Sequence, residues 1–227
     1  QWTDKWLLHF NSTKCKVIHM GKNNPNFEYF MNDDVTVRLL ESVQCERDLG
    51  VIVDEDLSFE DQINDVVKRA NRISGLLIRT ITYKDKSIMV PLFKALVRPI
   101  LEYGNAVWCP KLKKHIIEIE NVQRRFSKCI IGHKNLTYED RLKFFGLPSL
   151  EYRRLRGDMI EVFKILHHMY DPKTTQTLLH KTDSLLTVTR GHDLRLTKRS
   201  VKSSRYQHFF TNQIGRASCR ERVFSLV

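Results

Sequence analysis

The sequence contains no run of about 18 apolar residues, the length a membrane-spanning helix needs, so none is expected. No secretory leader is visible either. The start, QWTDKWLLHF, has neither an initiator Met nor an apolar core, and the chain is expected to be a fragment of a longer protein. No CxxC pair occurs, and the five cysteines, Cys15, Cys45, Cys109, Cys129 and Cys219, are scattered and odd in number. That argues against a zinc site and against a disulfide framework. A reducing compartment fits best. No internal repeat is seen. Carboxylates are scarce at the start: Asp4 is the only one before residue 28.

Positive charge is in surplus. The 227 residues carry 38 Lys and Arg against 26 Asp and Glu, a formal net charge of +12. Such a balance commonly marks a nucleic-acid partner, because Lys and Arg displace counterions from phosphates. The alternative is a solvated basic surface. Apolar residues make up 41% and charged residues 28%, an ordinary globular balance. The length allows one sizeable core or two small domains.

The first fifty or so residues read as strands and turns. WLLHF and KVIHM are short apolar runs, and KNNPN is a turn cluster. FEYFM and VTVRLL flank NDD in the manner of a β-hairpin. DLGVIVD reads as a further short strand. From Ser58, a candidate N-cap, the period becomes helical. Ile63, Val66, Val67, Ala70, Ile73, Leu76 and Leu77 form one apolar face, with Lys68, Arg69 and Arg72 opposite.

A second helix is predicted through DKSIMVPLFKALVRPILEYGNAVW, kinked or divided at Pro91 and Pro99. A third, LKKHIIEIENVQRRFSKCII, carries Lys113, Lys114, Arg124, Arg125 and Lys128 on its polar side. Two more follow, around YEDRLKFFG and SLEYRRLRGDMIEVFKILHHMY, separated at Gly146 and Pro148. The adjacent pair His167–His168 reads as helix surface, since neighbours on a helix do not face one site. After Asp171–Pro172, Thr, Ser, Lys and Arg dominate. Six basic residues stand against the single acid Asp193 between Arg190 and Arg205, which reads as a loosely ordered basic segment.

Several pieces, in this order, resemble the C-terminal part of reverse transcriptases from jockey-like non-LTR (LINE-type) retrotransposons. They are W-x-L-x-F-N-x-x-K-C (Trp6 to Cys15), DLGV (Asp48 to Val51), LVRPILEYGNAVW (Leu96 to Trp108), IEIENVQRRFSK (Ile117 to Lys128) and LPSLEYRRLRGD (Leu147 to Asp158). TRGHDL and FFTN extend the likeness to about residue 212. The resemblance implies that residues 1–57 are the last strands of a polymerase palm. Residues 58–132 would be a helical thumb, 133–172 a helical extension and 173–212 a basic segment.

Two-metal nucleotide transfer needs several converging carboxylates. The pair Asp33–Asp34, in YFMNDDVTV, is the obvious candidate. In the family, however, the catalytic aspartate turn precedes the W-x-L-x-F-N-x-x-K-C segment, so it would lie before residue 1. The resemblance therefore assigns Asn32, Asp33 and Asp34 to a hairpin turn near a primer-grip-like strand bearing Phe27, Tyr29 and Phe30. Asp54, Glu55 and Asp56 read as a loop approaching a helix. No metal is expected in this chain, although the parent enzyme would use Mg. The Lys14 region resembles the motif whose lysine protonates the pyrophosphate leaving group. Either Lys14 or Lys16 fits that role, and an ordinary surface lysine is the alternative. For a thumb, backbone contact with the duplex is sufficient. The residues expected to make it are Lys68, Arg69, Arg72, Arg79, Arg124, Arg125 and Lys128.

The ending departs from the family. IGRASCRERV back-translates to a common short-read sequencing adapter, so residues 213–227 are expected to be adapter read-through rather than evolved protein. Genomic DNA encoding the tail contiguously would contradict this. Removing Arg216, Arg220 and Arg222 against Glu221 lowers the net charge from +12 to +10, so the basic character survives.

The sequence thus predicts an α+β chain, mostly α: a small antiparallel β portion followed by a helical thumb-like bundle. The implied function is that of a fragment of an RNA-directed DNA polymerase acting on an RNA template and DNA primer. It would be intracellular, nuclear for the parent element, with no membrane role. The alternatives are a non-catalytic basic helical module that binds nucleic acid, or a decayed transposon remnant.

Overall fold

The computed structural model describes residues 5–6, 10–21, 23–33, 36–130 and 135–175. Most of the expected basic segment and all of the expected adapter-derived tail lie outside these residues. The chain is mixed α and β, mostly helical, and divides into two compact units, residues 1–62 and 63–227.

Among the described residues, six short strands make three separate two-stranded pairs. Strands β1 (Lys16–Val17) and β4 (Glu41–Ser42) are parallel, Lys16 opposite Glu41. This one parallel pair departs from the expected antiparallel β portion, which the other two pairs bear out, the first of them a hairpin that lies between β1 and β4 in the chain. This hairpin joins β2 (Phe30–Asp33) to β3 (Thr36–Leu39), with Phe30 opposite Leu39 and Asp33 opposite Thr36. Asn32 and Asp33 are therefore ladder residues, not turn residues. Asp34 and Val35 lie outside the described residues.

The third pair joins β5 (Cys45–Asp48) to β6 (Val51–Asp54), with Asp48 opposite Val51. Leu49 and Gly50, at φ 45° and 84°, form the two-residue left-handed loop that matches strand twist. DLGV is thus a tight hairpin turn rather than the start of a strand. A Leu hides this from sequence, because leucine rarely accepts positive φ. Lys5 and Trp6 are helical, and Leu7, Leu8 and His9 of the strand expected at WLLHF lie outside the described residues.

Helix α1 spans Glu60–Thr80. Its entry is fixed by Asp54, whose carboxylate accepts the backbone N–H groups of Ser58 at 2.8 Å and Phe59 at 2.7 Å. Ser58 Oγ accepts the Glu60 N–H at 3.3 Å. The cap expected from Ser58 alone is shared, and Asp54 makes the shorter bonds. A carboxylate beside free N–H groups at a helix start also meets a favourable dipole.

In the second unit, α2 (Lys86–Leu92) begins at the Asp85 cap, which accepts from Ser87 N–H at 2.8 Å. Pro91 has no N–H to donate and its ring crowds the carbonyl one turn back. The next turn, Phe93–Val97, widens to a π-helix, and Arg98 N–H donates to Phe93 O. Helix α3 (Arg98–Glu102) follows, with Pro99 in its first turn where no N–H is needed. Tyr103 is extended and Gly104 adopts φ 64° before α4 (Asn105–Trp108). The prolines redistribute the helix, and the break itself falls at Tyr103–Gly104.

Helix α5 spans Lys113–Lys128. Helix α6 (Tyr138–Phe145) is capped by Thr137 and ends at Gly146, φ 61°. Helix α7 (Leu150–Leu166) is capped by Ser149, and α8 is the short Pro172–Thr175. Helices α6 and α7 both pack on α5, so the expected 133–172 extension belongs to the same compact unit. Met89, Phe93, Val97, Leu101, Trp108, Ile119, Val122, Phe126 and Leu150 are buried there. The Phe93 and Phe126 rings lie 4.9 Å apart. A half-buried guanidinium–carboxylate pair joins α3 to α7: Arg153 Nη2 is 2.9 Å from Glu102 Oε2, and Nε bonds Oε1.

Candidate nucleic-acid interface

On α1, the apolar residues Ile63, Val66 and Ala70 are buried while Lys68, Arg72 and Arg79 are exposed. The spacing of four and then seven residues puts these three within an arc of about 40° on the helix. Together they form a stripe about 16 Å long. Arg69 falls off that stripe: it is half-buried, and its Nε lies 3.0 Å from Asp65 Oδ2. The structure therefore brings together three of the four α1 candidates.

On α5, Arg124, Arg125 and Lys128 are all exposed in the last two turns. Cations there complement the negative end of the helix dipole. Arg124 is held in a way sequence did not reveal. Its guanidinium lies over the Tyr138 ring at 4.8 Å. The other neighbour of that ring is Arg141, at 5.7 Å. The Tyr138 hydroxyl donates to Glu120 and accepts from Gln123 Nε2 at 3.1 Å. Gln123 Nε2 also donates to Pro148 O at 3.0 Å, and Glu120 Oε2 accepts Leu150 N–H at 3.0 Å. Burial first, then the neighbouring Glu120 carboxylate, push the Tyr138 phenol well above its usual range.

Arg141 is 4% exposed, although nothing in YEDRLKFFG distinguishes it from a surface arginine. It donates to Leu136 O at 2.6 Å, Ser127 Oγ at 3.3 Å and Arg124 O at 3.5 Å. These bonds tie the start of α6 and the residue before it to the last turns of α5. The only sequence signal was position: nine residues separate the end of α5 at Lys128 from the start of α6 at Tyr138, a connection short enough for α6 to fold back on that terminus.

In the first unit, Lys14 is exposed in a turn and its N–H donates to Asn11 O at 3.0 Å. Lys16 is engaged: its Nζ lies 2.6 Å from Glu46 Oε2, and the bond raises its pKa. Of the two lysines, Lys14 is the one without that ion pair. Phe27, Tyr29 and Phe30 are exposed rather than core, Phe27 at 64% and Phe30 at 60%.

Asp33 ends a two-stranded ladder, and Asp54 is occupied by the helix cap. Among the described residues, no group of three or more His, Cys, Asp or Glu is placed to hold a metal ion. His167 closes α7 with its ring 4.0 Å from Phe163, and His168 follows at φ 55°.

Helix α7 buries two charged residues on its inner face, Arg154 at 5% and Asp158 at 4% exposure. Burial pushes the Asp158 carboxyl up to about 6 from the ordinary 3.8, with Arg154 opposing the shift. The folded state thus holds this proton more tightly than the unfolded chain does. Its contribution to stability is full below pH 3.8 and is lost as pH rises through about 6. Asp158→Asn, a neutral mimic, is therefore expected to match wild type near the lower pH. It should become the more stable protein above the upper one. Urea midpoints measured across that window check this; a difference that stays constant with pH would contradict it.

No helix among the described residues is long and apolar enough to cross a membrane. The chain is similar to the uncharacterized protein B0403.1 of Caenorhabditis elegans, 26% identical over 125 residues. That match covers 54% of this chain and 61% of the worm protein, so the chain spans less than two thirds of that relative. No family model and no solved structure matches the chain.

Proposed function

We propose that this chain grips a nucleic-acid duplex through the exposed basic faces of α1 and α5. We further propose that it does so as the non-catalytic portion of a retrotransposon RNA-directed DNA polymerase. The observation that carries duplex binding is the stripe Lys68–Arg72–Arg79: three exposed cations on one helix face, with the acid Asp65 paired to Arg69. Charges so arranged track a phosphate backbone without reading bases. The net charge of +12 supports the same partner. The polymerase part rests on the ordered motif resemblance. In that reading the first unit is the end of a palm, and the helices are a thumb and its extension.

Grip without chemistry has a direct test. Residues 1–227 with magnesium, an RNA template, a DNA primer and deoxynucleoside triphosphates are expected to incorporate no nucleotide above background. Incorporation that Asp33→Ala abolishes would overturn the assignment.

A second reading has one observation in its favour. Residues 63–227 form a compact unit of their own, which suits a stand-alone basic helical module. Both readings expect salt-dependent duplex binding. They part on the upstream coding sequence, where the polymerase reading expects a [F/Y]-A-D-D motif some tens of residues before Gln1.

A further inference from the structure

We propose that Tyr138 is the positioning residue of the α5 basic face: its ring holds the guanidinium of the exposed Arg124 in place, as a preformed fork for a duplex phosphate. This rests on the reading of that face as a duplex grip. Arg124, Arg125 and Lys128 share the end of α5, yet the Arg124 guanidinium is the one that lies over an aromatic ring, at 4.8 Å. Its Nη1 also reaches Asn121 Oδ1 at 3.5 Å, on the same helix face.

Tyr138 is itself fixed at both ends. Its hydroxyl is held between Glu120 and Gln123, and its ring has Arg141 as a second cationic neighbour. The shift of its phenol to higher pKa keeps it protonated and neutral, so it remains a donor to Glu120. Arg141 in turn bonds the Arg124 carbonyl and Ser127, which fixes the backbone beneath the guanidinium.

A long arginine side chain ordinarily loses rotamer freedom when it meets a phosphate. One already stacked has lost part of that freedom on folding. A planar fork also matches phosphate geometry as an ammonium does not. Arg125 and Lys128 would then add charge, while Arg124 adds geometry.

The test is affinity for an RNA–DNA hybrid duplex, measured by fluorescence anisotropy with thermal unfolding recorded alongside. Arg124→Ala is expected to weaken binding about 10-fold at low salt. Tyr138→Leu is expected to weaken it about 3-fold, the reach of an exposed cation–π contact. Combining the two should be no worse than Arg124→Ala alone. Tyr138→Phe, which keeps the ring, should bind as wild type. Arg124→Lys, which keeps the charge, should fall close to Arg124→Ala.

If Tyr138→Leu does not fold, the Tyr138→Phe and Arg124→Lys pair decides. Arg124→Lys binding as wild type overturns the proposal, as does Tyr138→Phe falling with Arg124→Ala. Arg124→Ala binding as wild type overturns it too. A wild-type chain without salt-dependent binding instead overturns the underlying duplex-grip reading.

Discussion

Replacing Lys68, Arg72 and Arg79 together with alanine is expected to lower affinity for an RNA–DNA duplex by about two orders of magnitude near 0.1 M salt. The slope of log affinity against log salt should fall in magnitude by about 3, one unit for each phosphate no longer neutralised. All three side chains are exposed, so their removal leaves no hole, and alanine is the best helix former. Stability should therefore stay within the range of ordinary surface changes, about 0.5 kcal/mol either way. Arg69→Ala is the internal control. That residue sits off the stripe and pairs with Asp65 at 3.0 Å, so its loss should leave the slope unchanged. Anisotropy titrations at several salt concentrations separate the two variants. A triple variant with the wild-type slope would remove α1 from the interface.

Trp108→Ala is expected to cost about 3–5 kcal/mol of stability, the usual result of deleting a large buried aromatic. Against a total of about 5–15 kcal/mol for a typical domain, that loss approaches unfolding. Trp108 is 0% exposed, and its indole Nε1–H donates to Tyr103 O at 2.7 Å. It thereby pins the break where Tyr103 is extended and Gly104 takes φ 64°. Trp108→Phe should keep most of the packing and lose that hydrogen bond, a loss of about 1 kcal/mol. Gly104→Ala should cost about 1–2 kcal/mol through its left-handed backbone. Urea unfolding of each variant checks the order. A Trp108→Ala protein as stable as wild type would mean that the residue is not the pin.

These residues belong to LVRPILEYGNAVW, one of the pieces that carry the family resemblance. The structure buries its Trp108, while the exposed Tyr103 contributes its backbone carbonyl and Gly104 its left-handed backbone.

Helical periodicity was legible wherever one face was apolar. The helix from Glu60, the helix from Lys113 and the Gly146 break were all readable from spacing and caps. The strands were harder to read. Leu49 in a left-handed turn carries no turn signature, and two-residue strands such as Lys16–Val17 are too short to alternate. The β2–β3 hairpin was readable from FEYFM, NDD and VTVRLL, but no local pattern encodes the parallel pairing of β1 with β4 across it in the chain.

The basic site was legible in part for the same reason. Lys68, Arg72 and Arg79 share a face because helix geometry is fixed. That Arg69 would pair with Asp65 was available from the i,i+4 spacing. Tyr138, Arg141 and Glu120 were not available, since their roles arise where α6 folds back on α5. The Asp33–Asp34 pair drew attention as chemistry, yet Asp33 closes a ladder opposite Thr36.

The most direct measurement is binding of the unmodified chain to an RNA–DNA duplex across a series of salt concentrations, without magnesium or nucleotide. Duplex gripping by the two basic faces predicts log affinity falling linearly with log salt, with a slope steeper than about −3. Binding absent at low salt, or unchanged as salt rises, would contradict it.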